Sequence, residues 1–215
     1  MKTLVLNGER GPGDGTAVVE AALMRERAGS GDAIERVLLR EERIGPCRGC
    51  FCCWTKTPGL CVIDDAAGPI GEALVNSDLA VLLTPVTFGG YSSELKKLLD
   101  RLIPLISPMF MKVHGVTRHR PRYPRYPGLL GLRVGAADAE EGWIFGNLVE
   151  CNALNLHAPA HAAWVFSRGE GEEILRKKIA ALIDRVKGAS HDAEEKRPAA
   201  DRKPQAGTEH LGDSG

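Results

Sequence analysis

The segment from Asp78 to Thr84 constrains the fold most, because it reads Asp-Leu-Ala-Val-Leu-Leu-Thr with hardly a polar residue inside it. Such a run is typical of a strand that is covered on both faces of a parallel sheet. Other apolar runs alternate with segments of helical spacing, and this strand and helix pair repeats five times. The alternation predicts an α/β fold: a doubly wound, five-stranded parallel sheet of order 2-1-3-4-5 with helices on both faces.

Strands are expected at residues 2–6, 34–39, 78–84, 129–136 and 160–166. Helices are expected from residue 16, then over 66–75, from 92 or 93 onward, over 140–156 and over 172–187. Thr16 is the predicted N-cap of the first helix, and Ser92 or Ser93 that of the third. Gly188 is the predicted end of the last helix.

The third helix has the strongest apolar repeat, formed by Leu95, Leu98, Leu99, Leu102, Ile103 and Ile106. Pro104 lies inside this repeat and predicts a kink or an end near Ile103. In the fourth helix, Cys151 shares a face with Ile144 and Leu148, so Cys151 is expected to be a core residue.

With 215 residues, of which 43% are hydrophobic, the chain can bury one sizeable core. We expect a single domain over residues 1–188. Residues 189–215 are rich in charge, Pro, Gly and Ala, and they predict a disordered tail.

The 28 Lys and Arg residues balance the 28 Asp and Glu residues, so no overall field attracts nucleic acid or an anionic membrane. No apolar run approaches the length that spans a bilayer. We therefore expect a cytoplasmic protein without a nucleic-acid or membrane partner. In a reducing compartment, clustered cysteines serve more often as metal ligands, redox thiols or inert loop residues than as disulfides.

The loop from Gly8 to Thr16 follows the first strand and contains four glycines before the next helix. In open α/β sheets, such a loop can present free amides and a helix N-terminus to an anion. Its spacing matches neither a nucleoside triphosphate loop nor a dinucleotide fingerprint, so a monophosphate fits better. The candidate contacts are Gly8, Arg10, Gly15 and Thr16, whereas Glu9 counts against an anion. The alternative is a glycine-rich connection without a ligand.

A second candidate segment follows the third strand, next to the first strand in this sheet order. Its residues can press backbone amides and an apolar edge against a planar ring, with glycines allowing close approach. The candidate residues are Pro85, Val86, Thr87, Phe88, Gly89 and Gly90. The alternative is a plain turn that caps the next helix.

Five of the six cysteines lie within fifteen residues of sequence. Cys47, Cys50, Cys53 and Cys61 have the spacing C-x2-C-x2-C-x7-C, which can bring four thiolates onto one metal centre. This arrangement makes electron transfer the first function to test. The same residues are also compatible with a zinc site, a redox disulfide or metal-free thiols.

Three motifs together resemble the flavodoxin-like NAD(P)H-dependent FMN reductases and the related iron-sulfur flavoproteins. They are the loop 8–16, the cysteine segment 47–65 and the segment 84–101, and the resemblance covers about residues 1–187. It implies FMN as cofactor, with its phosphate on the first loop. It also implies that Pro85, Val86, Phe88 and Gly89 lie along the isoalloxazine ring.

The resemblance further implies NAD(P)H as cosubstrate and a homodimer. In the iron-sulfur branch, cysteines spaced like Cys47, Cys50, Cys53 and Cys61 ligate a [4Fe-4S] cluster beside the flavin, which leaves Cys52 spare. Other members of the wider family keep similar cysteines without a cluster, so both alternatives stay open here.

A basic insertion over residues 108–127 joins the third helix to the fourth strand and is too long for a plain connection. It carries Lys112, His114, Arg118, His119, Arg120, Arg122 and Arg125, with Tyr123 and Tyr126 between them. We consider a solvated or dimer-contact loop, and a lid whose arginines attract the phosphates of NADPH. RNA binding is disfavoured by the neutral total charge.

The sequence therefore predicts an FMN-dependent NAD(P)H oxidoreductase that passes electrons to a quinone, nitro, flavin or protein acceptor. No catalytic acid or base is predicted, because the cofactor carries the chemistry. The alternatives are a non-enzymatic electron carrier and a cysteine-based redox or metal sensor. Carriers of the flavodoxin or ferredoxin type are usually strongly acidic, which the balanced charge disfavours.

Overall fold

A computed structural model describes residues 1–85, 87–113, 115–135 and 138–195. Its strands are β1 (Lys2–Asn7), β2 (Ala33–Leu38), β3 (Leu79–Pro85), β4 (Ile106–Val113), β5 (Val116–Pro121), β6 (Gly128–Val134) and β7 (His161–Phe166). Its α-helices are α1 (Thr16–Ala28), α2 (Cys52–Thr55), α3 (Ala67–Val75), α4 (Ser93–Asp100), α5 (Ala139–Asn155) and α6 (Glu172–Glu195).

Five strands form one parallel sheet in the order β2-β1-β3-β6-β7. This is the predicted order 2-1-3-4-5, counted over the strands of the main sheet. Every residue of β3 is buried, as the apolar run predicted. Because β1 and β3 are neighbours, their carboxyl ends bring the first loop and the segment after β3 to one edge of the sheet.

Each face of the sheet is covered by helices, which gives three layers and two apolar cores. One core contains Val19 and Leu23 of α1 with Ile179 and Ile183 of α6. The other core contains buried residues of α3, α4 and α5, namely Leu74, Leu95, Leu98, Phe145, Val149 and Ala153. The doubly wound prediction is therefore confirmed.

The third predicted helix is shorter than its apolar repeat. Helix α4 ends at Asp100, and a 3-10 turn over Ile103–Leu105 contains Pro104. The predicted end near Ile103 is therefore confirmed, but Ile103 and Ile106 do not belong to the helix, because Ile106 already begins β4. Pro104 lacks the N–H that would continue the helix, whereas a short 3-10 turn accommodates it.

The basic insertion is a β-hairpin, not an irregular loop. Strands β4 and β5 pair in antiparallel register, with Val113 opposite Val116 and Lys112 opposite Thr117. They form a separate two-stranded sheet. His114, which follows β4 in the sequence, lies outside the described residues. A two-stranded hairpin has little stability alone, so this one depends on its contacts with the domain.

Three smaller expectations were wrong. Cys151 is exposed, because the buried face of α5 is formed by Phe145, Val149 and Ala153. Gly15, not Thr16, is the N-cap residue of α1. Helix α6 continues past Gly188 to Glu195, so the first seven residues of the predicted disordered tail are helical. The rest of that tail, residues 196–215, lies outside the described residues.

Within the described ranges, no helix combines the length and apolar character needed to cross a bilayer.

Two glycine substitutions test the packing of α5 on the sheet. A Cβ at Gly131 of β6 would overlap Cγ2 of Val149 and lie 3.3 Å from Cζ of Phe145. We expect Gly131→Ala to lower the free energy of unfolding by about 1 to 3 kcal/mol, because both neighbours are fully buried. A Cβ at Gly146 in α5 would meet no atom within 4 Å. We therefore expect Gly146→Ala to raise the free energy of unfolding by about 0.5 to 1 kcal/mol.

Urea unfolding of both variants measures these changes. Equal stabilities for the two variants would contradict the close contact between β6 and α5.

Candidate functional site

The two candidate loops lie against each other at the carboxyl ends of β1 and β3. The Gly8 N–H donates to the Leu83 carbonyl at 2.8 Å. A Cβ at Gly8 would lie 2.5 Å from Oγ of Ser92 and 2.8 Å from Cβ of Leu95, so only glycine allows this approach. The structure thus brings the predicted phosphate loop and the predicted ring segment together.

The first loop folds around the side chain of Asp14. Its Oδ2 accepts the Arg10 N–H at 2.9 Å, and its Oδ1 accepts both the Thr16 N–H at 3.0 Å and the Thr16 hydroxyl at 2.6 Å. Gly15 has a φ of 94°, a conformation that favours glycine, and packs close to Val134. Two of the predicted phosphate donors, the Arg10 amide and Thr16, are therefore already engaged by a carboxylate.

The base of this loop is polar and buried. Glu9 is 7% exposed, and its Oε1 lies 3.7 Å from Nε of Arg40. Its N–H donates to Oδ1 of Asn7 at 2.8 Å. Asn7 is fully buried, and its Nδ2 has no hydrogen-bond partner among the described residues. Sequence reasoning did not single out Asn7.

The segment after β3 makes a tight turn. Gly90 donates its N–H to the Thr87 carbonyl at 2.8 Å, while Phe88 and Gly89 have φ values of 45° and 75°. Phe88 is 99% exposed, and the Thr87 hydroxyl is buried without a partner among the described residues. A non-glycine residue with positive φ and a fully exposed ring indicates a contact surface. Val86 lies outside the described residues.

The same segment also caps a helix, which was the alternative reading. Ser92 accepts the Leu95 N–H with its side chain and is the N-cap of α4. Thr84 accepts the Ser92 N–H at 2.8 Å and so fixes the end of the turn. Capping accounts for Ser92, but it leaves the exposed ring of Phe88 unexplained.

The four candidate ligand cysteines line one small cavity of about 20 Å³, together with Phe51, Ile63 and Arg101. Cys53 is buried, whereas Cys47 and Cys50 are exposed. Among the described residues, no three His, Cys, Asp or Glu side chains converge as the ligands of one metal ion would. The loop therefore gathers the four predicted cysteines around one space without closing them on a common centre.

The thiols in this loop differ in acidity. The Cys52 backbone N–H and thiol donate to Cys50 and lower the pKa of Cys50. The hydrogen bond with Cys50 raises the pKa of Cys52. Burial raises the pKa of Cys53, and the nearby Cys61 adds to this effect. The residue left spare by the spacing, Cys52, is therefore in direct contact with one of the candidate ligands.

A buried ion pair holds both ends of the cysteine loop. Arg101, at the end of α4, donates to Oδ2 and Oδ1 of Asp65 at 2.8 and 3.0 Å, and its side chain is fully buried. It also donates to the carbonyls of Gly45 at 2.8 Å and Ile63 at 3.2 Å. Asp65 in turn accepts the N–H groups of Gly45 and Ala67. The loop is thus closed at its base by one bidentate pair.

An aromatic row connects the cysteine loop to the hairpin. The ring centroids of Phe51 and Trp54 are 5.2 Å apart, those of Trp54 and His119 4.8 Å, and those of His119 and Phe110 4.6 Å. Trp54 Nε1 donates to the carbonyls of Ile103 and Ile106 at 3.2 and 3.0 Å. The hairpin therefore packs on its own domain beside the cysteines.

Comparison with known proteins decides the family. The family described as NADPH-dependent FMN reductase matches residues 1–121, which is more than half of the chain. The chain belongs to this family. An iron-sulfur flavoprotein of Methanocaldococcus jannaschii is 33% identical over 105 residues, 49% of this chain and 53% of that protein. An iron-sulfur flavoprotein of Archaeoglobus fulgidus is 28% identical over 138 residues, 64% of this chain and 56% of that protein. The chain thus spans about half the length of these curated relatives.

Solved structures confirm the flavodoxin-like fold. RosB with a bound flavin intermediate has a TM-score of 0.60 at 19% identity, covering 91% of this chain and 81% of RosB. An azoreductase of Bacillus anthracis has a TM-score of 0.56 at 14% identity, covering 91% and 99%. The NAD(P)H:quinone oxidoreductase of Methanothermobacter marburgensis has a TM-score of 0.56 at 10% identity, covering 88% and 94%.

Breaking the pair between Arg101 and Asp65 should cost much stability, because one buried charge is left uncompensated. We expect Asp65→Asn to lower the free energy of unfolding by about 3 to 5 kcal/mol. The neighbouring Asp100→Asn is the control. Asp100 is half exposed and pairs with Lys96 one turn away, so its loss should cost about 0.5 kcal/mol or less.

The same pair predicts a dependence on pH. Burial opposes ionisation of Asp65, but the hydrogen bonds from Arg101, Gly45 and Ala67 outweigh it and lower its pKa below the ordinary 3.8. Stability from this carboxylate is therefore present above pH 3.8 and is lost as the pH falls through the lower folded pKa. Urea unfolding between neutral and acid pH should show a shallower acid decline for Asp65→Asn. An identical decline in both proteins would contradict the assignment.

Proposed function

We propose that the protein is an FMN-dependent oxidoreductase that takes hydride from NAD(P)H and passes electrons to a second acceptor. The observation that carries this proposal is the turn at Phe88, which has an exposed ring and a left-handed backbone and follows β3, the strand next to β1. This edge, at the carboxyl ends of neighbouring strands, is where open α/β sheets bind ligands. When bound, FMN supplies the hydride and electron chemistry.

The residues of the turn fit a planar ring. The Thr87 hydroxyl is a buried group without a partner among the described residues, and it is available to a polar edge of the ring. Phe88 offers an apolar face. Gly89 completes the turn and packs against α5, since a Cβ at Gly89 would lie 3.0 Å from Cγ2 of Ile144. These residues bind and orient the ring, and Pro85 fixes the end of β3 beneath it. The first loop fits a phosphate less well, because Asp14 holds its donors.

The comparisons support the proposal at the level of the family. The matching family is named for NADPH and FMN. RosB holds 8-demethyl-8-formylriboflavin-5'-phosphate, and two other structural relatives are an azoreductase and an NAD(P)H:quinone oxidoreductase. We propose a quinone or nitro compound, a free flavin or a protein centre as acceptor. The homodimer and the cytoplasmic location stay predictions.

The test is a flavin titration followed by an activity measurement. The protein is purified without oxygen and titrated with FMN, and oxidation of NADPH and of NADH is then followed with a soluble quinone. We expect bound flavin and steady nicotinamide oxidation. Bound flavin without such oxidation would instead support an electron carrier, and no flavin binding would overturn the proposal.

A substitution at Phe88 tests the ring contact. We expect Phe88→Ala to weaken FMN binding by about 1 kcal/mol, roughly fivefold in Kd, because one aromatic contact is lost. Stability should not change, since the side chain is 99% exposed. Ile174→Ala in α6, also at an exposed apolar residue, is the control and should leave Kd unchanged. Equal Kd values in fluorescence titrations of both variants would contradict the ring contact.

We further propose that Cys47, Cys50, Cys53 and Cys61 hold a [4Fe-4S] cluster. The donor set fits the cluster, because four thiols line one cavity and thiolates are its ordinary ligands. The side chains must turn inward to share one centre, which the exposed positions of Cys47 and Cys50 permit. Both relatives found by sequence are named iron-sulfur flavoproteins. When bound, such a cluster would supply one-electron transfer.

Iron and sulfide analysis tests the cluster. Protein made and purified without oxygen should contain about four iron and four sulfide atoms per chain. Cys53→Ser should remove most of both, whereas Cys151→Ser, at an exposed cysteine of α5, should leave them unchanged. Absence of iron from the unsubstituted protein would favour metal-free thiols.

A further inference from the structure

The first loop carries a negative charge at the place where a phosphate is expected. The Asp14 carboxylate bridges the two ends of the loop. One of its oxygens accepts a hydrogen bond from the Arg10 N–H, and the other accepts hydrogen bonds from the N–H and the hydroxyl of Thr16. All three donors are uncharged groups. A phosphate oxygen would need the same kind of donors at the same helix N-terminus. Asp14 therefore competes with an anionic ligand for them.

A second observation indicates that a ligand atom belongs at this loop. Asn7 is fully buried at the end of β1, and the Glu9 N–H fixes its Oδ1 at the root of the loop. Its Nδ2 has no hydrogen-bond partner among the described residues. A buried donor without an acceptor is costly, and an oxygen of a bound ligand would satisfy it.

A second carboxylate makes the loop still less favourable to an anion. Glu9 is 7% exposed, and its nearest cation, Arg40, lies 3.7 Å away. The side chain of Arg10 is exposed at the loop surface. The loop thus contains hydrogen-bond donors that suit an anion, but it also carries negative charge of its own. The charge of Asp14 lies directly at the donors of Arg10 and Thr16.

We propose that Asp14 determines the flavin specificity of this protein, because its negative charge weakens the binding of the FMN phosphate. Riboflavin, which has the same ring without the phosphate, then binds nearly as tightly as FMN. This inference rests on the proposed flavin site and adds which form of the flavin the site accepts. Like charges at close range repel each other strongly where solvent is partly excluded.

The test compares FMN and riboflavin on three proteins by quenching of flavin fluorescence. Asp14→Asn removes the charge but keeps an oxygen for the N–H and hydroxyl of Thr16. It should bind FMN about tenfold more tightly than the unsubstituted protein and leave the Kd of riboflavin unchanged. Glu26→Gln removes one charge near the other end of α1 and should change neither Kd. Asp14→Ser, which keeps a hydroxyl, repeats the test if the Asn variant folds poorly.

The outcomes separate this inference from the proposed function. A ratio of the two Kd values that is the same in the unsubstituted protein and in the Asp14 variants overturns the role of Asp14 alone. Weaker FMN binding by Asp14→Asn overturns it as well, because Asp14 would then support the cofactor. If neither flavin binds any of the three proteins, the flavin site itself is wrong and both proposals fall.

Discussion

The buried pair of Arg101 and Asp65 is the interaction on which the site depends. A buried ion pair is favourable only when its remaining hydrogen-bonding atoms are also satisfied. Here Arg101 donates to the carbonyls of Gly45 and Ile63, and Asp65 accepts the N–H groups of Gly45 and Ala67. Nε of Arg101 is the atom left without a hydrogen-bond partner among the described residues. These partners lie at both ends of the cysteine loop and at the start of α3. The pair therefore fixes a long irregular segment to the end of α4, and α4 begins directly after the turn at the sheet edge.

The two halves of the site differ in how far they are prepared for a ligand. The turn after β3 leaves Phe88 exposed and the Thr87 hydroxyl without a partner among the described residues. The first loop instead satisfies its donors internally through Asp14. Donors that are already engaged resist a new ligand, whereas unsatisfied ones favour it. The geometry therefore favours a ligand that binds at the turn after β3 more than one that binds at the first loop.

The hairpin brings a basic and aromatic surface to the same region. Trp54 donates to two carbonyls just before and at the start of β4, and His119 stacks between Trp54 and Phe110. Arg122 adds a hydrogen bond to the Pro104 carbonyl at 2.8 Å. These contacts supply the stability that an isolated two-stranded sheet lacks. They also couple the position of the cysteine loop to the position of the hairpin.

The sequence by itself determined the five strands of the main sheet and the helices between them, because apolar periodicity and glycine-rich turns are local signals. Their alternation then predicted the sheet order and the meeting of two loops at one edge. It also located the cysteine cluster and limited the cap of α4 to Ser92 or Ser93. Only the tertiary structure decided the ion pair of Arg101 and Asp65, the hydrogen bonds of Asp14 and the docking of the hairpin. The pair of Arg101 and Asp65 joins residues 36 positions apart, and the hydrogen bond from Trp54 to the Ile103 carbonyl joins residues 49 positions apart. No local sequence pattern predicts such contacts. The ion pair and the hairpin contacts form only when the whole fold brings distant segments of the chain together.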